Sequence, residues 1–60
     1  MQNNLVISIT DGVNTQEKKL KQGVSVERAA ELLEEMYASD YLGLSYTLLV
    51  NGREYMTLES

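Results

Sequence analysis

Cysteine, histidine, phenylalanine and tryptophan are all missing from this 60-residue chain. The first two absences remove disulfides, thiolate nucleophiles, Cys/His zinc sites and imidazole acid–base chemistry together. Basic residues are scarce as well: five Lys and Arg stand against nine Asp and Glu, for a net charge of −4. Nucleic-acid binding draws on a basic face, because phosphate contacts supply most of its non-specific affinity, so none is expected. No apolar run approaches the roughly 20 residues that span a bilayer, and no membrane association is expected. The start, Met1-Gln2-Asn3-Asn4, has neither the basic nor the long apolar region of a secretory signal, so a cytoplasmic location is the expectation.

A chain of this length is read as a single domain, residues 1–60. A 60-residue domain buries only about 60% of the surface its unfolded chain exposes. Small domains compensate with disulfides, a structural metal or oligomerisation, and of these self-association is the one left open.

The charge is uneven. Residues 1–26 carry Lys18, Lys19 and Lys21 against Asp11 and Glu17. Residues 27–60 carry Arg28 and Arg53 against Glu27, Glu31, Glu34, Glu35, Asp40, Glu54 and Glu59.

Leu5, Ile7 and Ile9 alternate with Ser8 and Thr10, the period of a half-buried strand. Asp11-Gly12 then signals a turn. A two-residue turn there would set Ile9 opposite Asn14 and Ile7 opposite Gln16, so a loop through Asn14, or a bulge, is expected instead. Gln16–Lys21 fits an edge strand whose lysines discourage pairing with other sheets. Ser25 is a good N-cap, with Glu27 in the first turn. Val26, Ala29, Ala30, Leu32, Leu33, Met36 and Tyr37 fall within an arc of about 160° on a helical wheel, opposite Glu27, Arg28, Glu31, Glu34, Glu35 and Ser39. This predicts an amphipathic helix ending near Ser39 or Asp40. Leu44–Val50 and Arg53–Glu59 flank Asn51-Gly52, a strong type I′ hairpin signal. An uninterrupted ladder pairs Leu48 with Tyr55 and Tyr46 with Thr57. It sends Leu44, Tyr46, Leu48, Val50 and Tyr55 toward the helix, and Leu49, Met56 and Leu58 to the other face.

The expected fold is therefore α+β: a two-layer β-β-α-β-β domain with one amphipathic helix on a four-stranded sheet. This order, with the run Gly23-Val24-Ser25-Val26-Glu27 entering the helix, resembles the β-grasp (ubiquitin-like) arrangement. The resemblance is one of fold, and it implies that the first and last strands are neighbours. The chain ends Thr57-Leu58-Glu59-Ser60 without a Gly-Gly pair, so conjugation chemistry is not expected.

The leading functional expectation is a small acidic, non-enzymatic protein-interaction module, an inhibitor or adaptor, homodimeric and binding another protein. Its size and charge are like those of small inhibitors encoded by bacteria and phages. Glu27, Glu31, Glu34, Glu35, Asp40 and Tyr41 would meet a partner through the acidic helix face, in its sharpest form blocking a nucleic-acid-binding surface. The same face also reads as ordinary solvated helix. Under a β-grasp order Val6 would join Leu49, Met56 and Leu58 in an outer-face patch for self-association. The alternative is a nucleotide or metabolite binder with a pocket between protomers, drawing on Tyr41, Tyr46, Tyr55 and the lysines. An enzyme is not expected, and neither a cofactor nor a metal: Glu, Lys, Tyr and Ser form no recognisable catalytic motif, and a convex helix face gives its carboxylates no cleft.

Overall fold

The structure is a computed structural model that describes residues 3–59. Five elements follow in the expected order: β1 (Leu5–Thr10), β2 (Thr15–Lys19), α1 (Val26–Ala38), β3 (Ser45–Val50) and β4 (Arg53–Leu58). All neighbouring strands are antiparallel, and the sheet order is β2-β1-β3-β4. Two hairpins thus lie side by side, joined through β1 and β3. The first and last strands are not neighbours, and β4 forms an edge, so the β-grasp order is not adopted.

The helix is shaped by its sequence. The Ser25 side chain accepts a hydrogen bond from the Arg28 amide at 3.0 Å, satisfying one of the donors that the first turn leaves free. Ala29 and Leu33 are fully buried on its inner side, joined in the core by Leu5, Ile7, Tyr46 and Leu48. Ile9, Val26, Met36, Tyr37, Leu44, Val50, Met56 and Leu58 pack around that centre. The Tyr37 ring meets Tyr46 edge-on, centroids 6.0 Å apart and planes at 84°, a geometry that suits the ring quadrupoles. Tyr37 also donates through its hydroxyl to the Glu59 carbonyl at 2.8 Å, which ties the helix to the end of β4.

At the Asn51-Gly52 turn both central residues have positive φ, 53° and 81°, as a type I′ turn demands. Asn51 also receives the Asn4 amide on its side chain at 2.8 Å and gives its own amide to the Asn4 carbonyl at 2.8 Å.

The second hairpin departs from the uninterrupted ladder. Val50 pairs with Arg53 and Leu49 with Glu54, but Leu48 then pairs with Met56 and Tyr46 with Leu58. Tyr55 is the extra residue of a bulge and is 58% exposed. Since strand side chains alternate, one skipped residue reverses the facing of everything beyond it. Met56 and Leu58 therefore pack on the core side, not on the outer face with Val6 and Leu49. The exchange places Met56 and Leu58 inside in place of Tyr55 and Thr57, whose hydroxyls would need buried partners.

The outer face is left with Val6 paired directly to Leu49, in a field of hydroxyls from Ser8, Thr10, Ser45, Thr47 and Thr57. On the inner side α1 packs against β3, β1 and β4 and does not reach β2. All five β2 residues are exposed, and Lys18 and Lys19 occupy this edge as expected.

Candidate functional site

The strand directions sort the molecule into two ends. Thr10 pairs with Ser45, which sets the β1–β2 turn beside the α1–β3 loop at one end. The Asn51-Gly52 turn, the start of α1 and the exit from β2 lie at the other.

The β1–β2 turn is built around Asp11. Its Oδ1 accepts the Val13 amide at 2.8 Å and the Asn14 amide at 2.7 Å. The Thr10 hydroxyl donates to the Asn14 carbonyl at 3.0 Å and accepts the Gly12 amide at 3.0 Å. This is the longer loop through Asn14, with Gly12 at φ 97°, and it pairs Ile9 with Gln16 and Ile7 with Lys18. Hydrogen bonds from the Asn14 and Val13 amides stabilise the ionised form and hold the Asp11 carboxyl below its usual value.

A depressed carboxyl adds stability that is full above the unfolded-state value and fades as pH falls through the folded one. The amide resonances of Val13 and Asn14 should therefore titrate together, with a midpoint below 3.8 in an NMR pH series. A midpoint at or above that value would dissolve the assigned contacts.

Asp40 organises the second loop in the same way. Its Oδ1 accepts the Leu42 amide at 3.1 Å, and its Oδ2 accepts the Leu44 amide at 2.8 Å. Burial, and then the negative charge of Asp40, push the Tyr46 hydroxyl above its usual pKa. Asp40 is thus a loop clamp that also faces the core, whereas the sequence suggested only a partner-facing charge.

The two clamped loops push apolar side chains outward. Val13 is 88% exposed, Tyr41 90% and Leu42 68%, and the fourth large exposed apolar residue is Tyr55. Between the loops lies a cleft of about 280 Å³ lined by Ile9, Asp11, Asn14, Thr15, Gln16 and Leu44.

Of the acids expected to meet a partner, Glu27, Glu31, Glu34 and Glu35 are all exposed. The helix runs between the two ends, so Glu34 and Glu35 approach Asp40 and Tyr41 while Glu27 sits beside Arg28 at the far end. The residues expected to hold a small ligand are dispersed: Tyr46 is buried in the core, Tyr41 lies at one end, and Lys19 and Lys21 lie at the other. Among the described residues no three acids gather to hold a metal ion, and no helix is long and apolar enough to cross a membrane. Sequence reasoning missed Val13 and Leu42. The available signal was an apolar residue set between Gly12 and Asn14, and another before Gly43, in stretches otherwise made of turn formers.

Fold and surface together define a two-layer α+β domain with an apolar, loop-built end. No family model, no curated protein and no solved structure matches the chain significantly.

Proposed function

We propose that the chain is a non-enzymatic protein-interaction module, an inhibitor or adaptor, whose partner seats on the end formed by Asp11–Asn14 and Asp40–Leu44. The observation that carries this reading is that Val13, Tyr41 and Leu42, three of the four large apolar residues left in solvent among those described, stand on two loops at the same end of the molecule. Exposed apolar side chains scattered singly need no explanation, but clustered ones mark interaction sites. These three also stand on loops fixed by Asp11 and Asp40, so little ordering remains to be done on binding. Homodimerisation through the outer sheet face loses its motive, because Met56 and Leu58 belong to the core.

The test is a triple variant, Val13→Ser with Tyr41→Ser and Leu42→Ser. Exposed positions of this kind change stability by about 0.5 kcal/mol or less each, so the thermal melt should move little. A partner captured by the native chain and purified should bind it in calorimetry and lose most of its affinity for the variant. Equal binding by both would move the interface elsewhere.

A further inference from the structure

The charges at this end select the kind of partner. All five cations lie at or beyond the level of Ile7, toward the Asn51-Gly52 turn: Lys18 opposite Ile7, Lys19 opposite Val6, Lys21 after it, Arg28 in the first turn of α1 and Arg53 opposite Val50. The loop-built end holds Asp11, Glu34, Glu35, Asp40 and Glu59, and no lysine or arginine among the described residues. The helix adds to the imbalance. Its C-terminus points to this end with no basic residue in the last turn, so no side chain of the helix offsets the partial negative charge of that terminus.

We infer that the partner is a cationic, apolar protein segment, in which leucine-like side chains stand next to lysine or arginine. One aliphatic side chain enters the cleft between Ile9 and Leu44, its neighbours reach the exposed Val13, Tyr41 and Leu42 on the two loops outside that cleft, and the flanking cations face Asp11, Asp40 and Glu35. The apolar contact supplies the anchor, and the charges set orientation and speed of encounter. A polyanion or an anionic lipid surface would meet repulsion at the same place. This inference rests on the reading of that end as a docking site.

The experiment uses the full chain, labelled with ¹⁵N, and two synthetic amphipathic peptides. One is built of leucine and lysine, and the other has the same leucines with glutamate in place of every lysine. The leucine–lysine peptide should shift the amides of Gly12, Val13, Asn14, Tyr41, Leu42 and Gly43. Its affinity should fall about tenfold on Tyr41→Ser with Leu42→Ser, the loss typical of one anchoring residue, although that variant has the same charge. Affinity should also fall between 50 and 300 mM salt, over which the screening length shortens to below about 10 Å. The leucine–glutamate peptide should shift nothing.

If both peptides bind this end equally, the docking site stands and the charge selection is overturned. If the leucine–lysine peptide binds but the serine variant binds it as well, attraction is diffuse and the anchor is refuted. If neither peptide moves these amides, the docking site itself falls.

Discussion

Leu48→Ala should cost about 2–5 kcal/mol, the range for emptying a well-packed leucine site. Leu48 is fully buried on β3, between Ile7 of β1 and Met56 of β4. At roughly 0.05–0.15 kcal/mol per residue, a domain of 60 residues holds only about 3–9 kcal/mol in total. One methyl-rich side chain therefore decides whether the chain folds. The core has few members to share the loss, since Leu5, Ile7, Ala29, Leu33, Tyr46 and Leu48 are its buried residues among those described. Urea titration followed by circular dichroism measures the effect. Its control is Leu49→Ala, one position along the same strand on the outer face, where the cost should stay near or below about 1 kcal/mol. Similar losses at both positions would contradict the assignment of faces.

The second large effect is expected at Leu58→Lys. Had the hairpin ladder run without interruption, this change would fall on the outer face and leave the fold intact. With the bulge at Tyr55, Leu58 pairs with Tyr46 and packs on the core, so the substitution puts an ammonium group against the Tyr37–Tyr46 pair. The loss should be about 2–4 kcal/mol, in the range of a charge forced into a partly buried apolar site. Deleting Tyr55 is the companion experiment. It removes the extra residue while keeping Met56 opposite Leu48 and Leu58 opposite Tyr46, so the shortened chain should fold with a melt close to that of the native one. Nuclear Overhauser contacts between Met56 and Leu48 should persist in it. A stable Leu58→Lys and an unfolded deletion would restore the uninterrupted ladder.

These two substitutions also mark where the sequence could be read and where it could not. The alternation of Leu5, Ile7 and Ile9, the Ser25 cap, the apolar arc of α1 and the Asn51-Gly52 turn each act through neighbours in the chain, and each is legible from local chemistry. The bulge is not. No glycine or proline signals it, and both registers of β4 offer apolar residues to the helix, so only the total area buried in three dimensions separates them. Strand order is likewise a long-range property: β1 beside β3 or beside β4 satisfies the same local patterns. The exposure of Tyr41 was readable from its place in the helix exit. That Val13 stands at the same end of the molecule, on another loop, depends on the pairing of Thr10 with Ser45, which no single segment encodes.

The side-by-side hairpins set the order in which the chain can assemble. Each hairpin closes over a short turn and the helix forms on its own residues, all steps with little loop entropy to lose. The ladder from Leu5–Val50 to Thr10–Ser45 must instead close across β2, the helix and their connections. From its long sequence separation that closure should be the slow event, and also the last to reopen. Amide hydrogens in the β1–β3 ladder should exchange only through global unfolding, while those of β2 and of the bulged β4 exchange through smaller openings at the sheet edges. The middle of the sheet is thus a clasp between two local pieces, and the lifetime of the folded chain is the lifetime of that clasp.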